Sequence, residues 1–340
     1  MKFLILLFSI FALLPAACAP GQPATLTVLT HDSFAVSEAV VTAFEEANNV
    51  KLVFLPGGDA GAMLNKAILS KEAPLADVLF GVDNTFLSRA LEAGIFEVHE
   101  SPALQNIPAG FKLDPSNRAL PIDYGDVCIN YDKAYFTDNN LPVPGSLEDL
   151  IKPEYKNLLV VENPATSSTG LAFLLATVAH FGDTFPEYWQ ALKDNGVVVV
   201  DGWETAYFTN FSASSGRGPQ PMVVSYASSP SAELSPSGES LTGSIVGVNT
   251  CFRQIEFAGI LKGTQNRALA DKFMDYMLSR SFQEDMPLQM YVYPVNPDAA
   301  LPEAFVKFAQ APAQPATLAP EVIAANRDEW IRVWTDVVLK

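Results

Sequence analysis

Three times between Thr25 and Gly94 the sequence passes from a β-branched apolar run to one with helical spacing. "TLTVLTHDSF" (25–34) reads as a strand running into a loop. "VSEAVVTAFEEANN" (36–49) carries apolar residues at helical intervals and is closed by Asn48-Asn49. "VKLVFLPGG" (50–58) and "AGAMLNKAILSKEA" (60–73) repeat the pair, as do "ADVLFGVD" (76–83) and "NTFLSRALEAG" (84–94). Strict alternation of strand and helix implies right-handed crossovers and a mainly parallel sheet covered by helices.

The rest of the chain continues in the same character with longer interruptions. Pro102, Pro108, Pro115 and Pro121 punctuate a loop-rich passage, and "DYGDVCINYDKAYF" (123–136) then reads as an alternating strand. "LLVVEN" (158–163) is a strand that delivers the run "NPATSSTGLAFLLATVAHFG" (163–182), in which Thr166, Ser167, Ser168 and Thr169 precede an apolar helix. "FPEYWQALKDNG" (185–196) is a helix, "VVVVDGWETAYFTNF" (197–211) a strand entering a helix, and "PMVVSYASSPSAE" (221–233) a strand ending in small polar residues. "CFRQIEFAGILKG" (251–263) is a strand, and "NRALADKFMDYMLSRSFQEDM" (266–286) is one strong helix. "YVYPVNP" (291–297) is a loop, and residues 319–340 form an amphipathic helix. The reading is α/β, two lobes with a ligand cleft between them. Lobe 1 is drawn from residues 25–125 and 250–340, and lobe 2 from residues 126–249.

The first residues, "MKFLILLFSIFALLPAACAP", have one cation, Lys2, before an apolar run too short to span a bilayer. They read as a secretory signal. Cys18 follows "LPAA", which resembles a bacterial lipoprotein box and implies lipidation of Cys18, so residues 1–18 are the signal with its box; cleavage after Ala19 is the alternative. The formal charge of −17 argues against nucleic acid or an anionic membrane surface as partners. It suits either a cationic ligand or simple solubility. Cys128 and Cys251 could pair in an oxidising compartment. They could equally lie unpaired as small buried hydrophobes.

Open α/β sheets bind ligands beyond the carboxyl ends of their strands. Those ends carry His31-Asp32-Ser33, Asp83-Asn84, Thr166 to Thr169, Asp201-Gly202-Trp203 and Tyr226 to Ser229. In order along the chain, "THDSF", "ADVLFGVDN", "PIDYGDVCINYD", "NPATSSTGLAFLLA", "GWETAY", "VVSYASSPSAE", "FMDYMLSRSFQ" and "YVYPV" resemble the periplasmic thiamine-binding proteins of bacterial ABC importers. That resemblance implies a two-lobed periplasmic-binding-protein fold of type II, the flytrap. It implies no enzyme activity and no cofactor. The implied monomer works in the periplasm or on the outer face of the cytoplasmic membrane, taking up thiamine or its phosphates and passing them to a permease driven by an ATPase.

The resemblance also implies site residues. Asp59-Ala60 stand at an Asp-Gly pair of the ligand pocket, and Ser167-Ser168 at a Ser-Thr pair that holds the phosphate end. Trp203 matches a pocket tryptophan, and Tyr226, Ala227, Ser228 and Ser229 match a pocket segment. His31 and Tyr291 stand where a close relative has Tyr and Trp.

Physical chemistry supports such a site. A thiazolium cation suits the aromatic faces of Trp203, Tyr226 and Tyr291, with Asp32, Asp59, Asp83 or Asp123 nearby as counter-charge. Asp59 is the best placed of these. The hydroxyl run at the start of a helix, with its free amides, is expected to hold an anion such as a ligand phosphate. It could also hydrogen-bond a neutral alcohol.

Three rival functions are weighed. Ferric-ion capture would need adjacent tyrosines, and Tyr291 and Tyr293, separated by Val292, are expected to face opposite ways. His31, His99 and His180 show no metal-ligand spacing. A polyamine binder would leave the hydroxyl run without a role. A thiamine-degrading enzyme would use Cys128 as nucleophile, but an apolar strand is a poor setting for one.

Overall fold

The computed structural model of the chain describes residues 23–340. The signal segment and Cys18 lie outside the described residues. Ten strands form a single curled sheet: β1 (Ala24–Thr30), β2 (Val50–Pro56), β3 (Val78–Asp83), β4 (Leu120–Asp132), β5 (Leu159–Glu162), β6 (Val198–Val200), β7 (Met222–Tyr226), β8 (Thr242–Ile245), β9 (Phe252–Ile260) and β10 (Tyr293–Pro294). The helices are α1 (Glu38–Asn48), α2 (Ala60–Leu69), α3 (Leu87–Ala93), α4 (Lys133–Asp138), α5 (Ser168–Phe181), α6 (Phe185–Asp194) and the short α7 (Trp203–Thr205). They are followed by α8 (Arg267–Met277), α9 (Arg280–Gln289), α10 (Glu303–Phe308) and α11 (Pro320–Val338). No helix among the described residues is long and apolar enough to cross a membrane.

The strand order is β2-β1-β3-β9-β4-β7-β5-β6. β1 pairs in parallel with β2 and β3, and β5 in parallel with β6 and β7, as the alternation predicts. The centre is antiparallel. β9 runs against β3 and β4, and β4 runs against β7. Along its 13 residues β4 changes partner: Val127 opposes Phe252 of β9 and Tyr226 of β7. The two α/β lobes therefore share long central strands instead of a flexible linker.

Local chemistry sets the element ends. Ser37 caps α1, Asp59 caps α2 and Ser167 caps α5. The expected strand over 123–136 starts earlier and stops at Asp132, whose carboxylate accepts from Ala134 and Tyr135 and begins α4. The expected single helix over 266–286 is two helices, because Ser279 takes an extended backbone and caps α9.

One core cluster lies under α1, α8 and α9 and includes Val28, Phe80, Ile122, Phe273 and Phe282. A larger one runs through both lobes, from Leu29 and Phe86 to Phe173 of the buried helix α5 and on to Trp189 and Trp334. Trp334 brings α11 against α6, with the two indole rings 5.6 Å apart and nearly perpendicular. Arg327 of the same helix reaches Ser88 and the ring of Phe86. The C-terminal helix, expected with lobe 1, thus packs on both lobes.

Cys128 and Cys251 form a disulfide. It ties the middle of β4 to the residue before β9 and is fully buried with Ala227. The open choice between pairing and separate burial is decided for pairing. The same bond leaves Cys128 no thiolate for nucleophilic chemistry.

Candidate ligand-binding cleft

A cleft of about 450 Å³ opens between the lobes, a size suited to one small molecule. β1 leads into His31, Asp32 and the loop to Phe34, and α2 begins at its cap Asp59. The first turn of α5 contributes Ser168 and Thr169, and α7 with the turn after it contributes Trp203, Glu204, Tyr207 and Phe208. Tyr226 and Ser229 come from the end of β7, Glu256 from β9, and Tyr291 from the loop before β10.

The lobe 2 wall is aromatic. Trp203 stacks on Tyr207 with ring centres 4.8 Å apart, and Phe208 meets its edge at 5.4 Å. The indole nitrogen of Trp203 donates to Ser225 Oγ at 2.9 Å, so the ring is held from behind. Tyr226 is held likewise by donating to Gln254 Oε1 at 3.1 Å. Tyr291 sits at φ 56°, and its carbonyl accepts from Ser228 Oγ at 2.6 Å.

Among the described residues, five carboxylates line the cleft, from Asp32, Asp59, Glu204, Glu233 and Glu256, with His31 and no lysine or arginine. Burial raises the pKa of Asp59, only partly offset by the amides it accepts from. For Glu204, burial and then Asp32 act upward, outweighing the opposing Ser33 and His31. Burial alone would lower the pKa of His31, but Glu256, Asp59 and Asp32 outweigh it and raise it.

Asp59 changes the reading of the hydroxyl run. Its Oδ1 accepts from the amides of Ala60 at 2.6 Å and Ser168 at 3.2 Å, and its Oδ2 accepts from Trp203 N at 3.0 Å. Ser167 Oγ accepts from Gly170 N and bonds to Thr169 Oγ1, Ser168 Oγ accepts from Gln254, and Thr166 Oγ1 donates to the Asp201 carbonyl. The expectation of free amides and free hydroxyls awaiting an outside anion is corrected. The chain's own carboxylate takes the Ser168 amide, and each hydroxyl has an internal partner.

Of the expected residues, His31, Asp32, Asp59, Ser168, Trp203, Tyr226, Ser229 and Tyr291 line the cleft. Ala60, Ser167, Ala227 and Ser228 are buried behind it, Ala227 against the disulfide and Ser228 under Tyr291. Asp83 and Asp123 are buried behind Glu256.

Sequence reasoning missed Phe34, Glu204, Tyr207, Phe208, Glu233 and Glu256. "WETAYF" carried a signal, because Tyr207 lies one helical turn after Trp203. Glu256 stood out only as a charge within the apolar strand "IEFA".

Tyr291 and Tyr293 do point apart, but not through strand alternation, since residues two apart on a strand share a face. Tyr291 has left-handed backbone, while Tyr293 stacks on Tyr124 at 5.2 Å. His99 is bound between Asp271 and Asp275, and His180 to Glu148. Among the described residues no group of three potential ligands could hold a metal.

Two lobes on shared central strands, closing on a small-molecule cleft, define a solute-binding receptor. The chain belongs to the bacterial extracellular solute-binding protein family, whose model matches residues 73–313. It is 32% identical to the thiamine-binding periplasmic protein of Salmonella typhimurium over 96% of this chain and 97% of that protein. It is 30% identical to the protein of that name from Escherichia coli, over 92% of this chain and 93% of the relative. Among solved structures, a periplasmic thiamin binding protein matches with a TM-score of 0.82 at 30% identity, covering 92% of this chain and 96% of that one.

Proposed function

We propose that this protein captures thiamine in the periplasm and delivers it to an ABC permease powered by an ATPase. One observation carries the reading: among the described residues the cleft lining combines an aromatic wall of Trp203, Tyr207 and Phe208 with five carboxylates and no lysine or arginine. A thiazolium ring over such a face gains about 0.5–2 kcal/mol, and the carboxylates supply counter-charge. The relatives named for thiamine agree with it.

Binding without turnover is supported by the disulfide that occupies Cys128. Thiamine phosphates fit less directly, because Asp59 already takes the Ser168 amide and His31, the one basic side chain of the lining, lies beside Glu256. Unphosphorylated thiamine is therefore the form we assign. We also assign lipidation at Cys18 and a monomeric state.

Calorimetric titration of ligand-stripped protein with thiamine, its two phosphates, spermidine and ferric citrate tests this. One-to-one thiamine binding at micromolar Kd or tighter is expected, with the phosphates no tighter. Trp203→Ala is expected to weaken it about tenfold or more, the equivalent of 1.4 kcal/mol. Heat from spermidine or ferric citrate alone would remove thiamine as the ligand.

A further inference from the structure

Three carboxylates stand in one row across three neighbouring strands. The register sets Asp83 of β3 opposite Glu256 of β9, and Glu256 opposite Asp123 of β4. Residues directly opposed in an antiparallel ladder share a face, with Cβ atoms about 4.5–5.5 Å apart, and like charges so placed repel. The ladder is irregular just before each pair, between Phe80 and Val82 and between Pro121 and Asp123. Such bulges re-aim side chains beside functional sites.

Glu256 alone of the three reaches the cleft. It is only 5% exposed, and its Oε2 has no hydrogen-bond donor. Neither oxygen of Asp123 has a donor, nor does Asp83 Oδ2. Protons held between the carboxyl groups resolve both the repulsion and the missing donors.

His31 closes the row, its Nε2 3.5 Å from Glu256 Oε1. The other titratable groups facing Glu256 and its neighbours are Tyr226 on β7, Asp59 at the start of α2, Asp32 beside His31, and Glu204 of α7 opposite Asp32. Arg253, on the same strand as Glu256, is bound by Asp126. Burial, reinforced by Glu256, raises the Asp123 pKa well above the carboxylate range. For Asp83, burial outweighs the Thr85 hydroxyl and, with Glu256, pushes it to about 7.

We propose that the row of His31, Glu256, Asp123 and Asp83 holds a proton that the cleft exchanges for the charge of its cationic ligand. The ligand's positive charge beside Glu256 does the work the proton did, and the proton leaves to solvent. This rests on thiamine, or another cation, being the ligand.

The test is titration with thiamine at about pH 7 in buffers of different ionisation enthalpy, repeated on Asp123→Asn and Glu256→Gln. Titration of the free thiamine is common to all variants, and Asp123→Asn leaves the cleft lining itself unchanged, so its slope is the reference. The slope of observed heat against buffer enthalpy counts protons. For the wild type, release approaching one proton per ligand is expected, with Kd tightening as pH rises, by at most about tenfold per unit. Asp123→Asn is expected to bind with the release reduced.

Thiamine binding with no proton released, or with protons taken up, overturns the exchange and leaves the ligand assignment standing. Thiamine that fails to bind in any buffer overturns both. The difference between the wild-type slope and that of either variant counts the row's own proton, so one folded variant suffices, and equal slopes overturn the exchange.

Discussion

Asp59 Oδ2 accepts the backbone amide of Trp203 at 3.0 Å across 144 residues of sequence. The same carboxylate caps α2 and takes the Ser168 amide, so three helix starts from two lobes meet on one anion. Beside it, Gly61 and Ala62 donate to the Thr166 carbonyl. At this point of the seam between the lobes, backbone amides and carbonyls meet around a single carboxylate, Asp59.

Asp59→Ala is expected to lower stability by about 2 kcal/mol, the scale of a lost cap plus amides left without an acceptor. It is also expected to weaken thiamine binding. Denaturant unfolding beside calorimetry checks both, and a variant as stable as the wild type would show that the seam does not depend on this carboxylate.

Asp83 makes stability depend on pH. A carboxyl whose folded pKa lies above its unfolded value keeps a proton that the unfolded chain has already lost, so the folded state is penalised as pH rises. With the folded value at about 7, stability falls from about pH 4 to pH 7, by roughly 4 kcal/mol in the limit of an isolated group. Asp83→Asn is expected to flatten that slope in urea unfolding curves collected across the range. Identical slopes in the two proteins would contradict it.

Reducing the disulfide, or replacing both Cys128 and Cys251 with alanine, is expected to cost about 2–4 kcal/mol by freeing a long loop in the unfolded chain. Thiol titration of native protein comprising residues 23–340 is expected to find no free thiol. A reactive cysteine there would reopen the catalytic alternative.

Gly81 has φ +100°, and a Cβ built on it would collide with His31 Cδ2. Gly81→Ala must strain the backbone and displace His31 from Glu256. A loss of about 1–3 kcal/mol is expected, with weaker ligand binding. Thermal unfolding and titration measure the two effects separately, and an unperturbed variant would mean that the His31 position is not constrained from behind.

Local periodicity made much of the fold legible. The alternation from Thr25 to Gly94 became β1 to α3 in order, because strand and helix spacing are written in neighbouring residues. Trp203, Tyr226 and Asp32 were readable as cleft residues because ligands sit at strand ends.

What the hydroxyl run faces was not readable, because Asp59 lies 109 residues from Ser168 and only closure of the lobes joins them. The row of Asp83, Asp123 and Glu256 likewise depends on the register of three strands remote in sequence, and a one-residue slip would turn each side chain to the other face. By itself the sequence determined the elements, the strand ends and the acidity of the chain, all properties of adjacent residues. Only the tertiary structure decided which carboxylate meets which amide, which cysteines pair and which acids share a proton, because those relations exist only once long-range packing brings the strands into register.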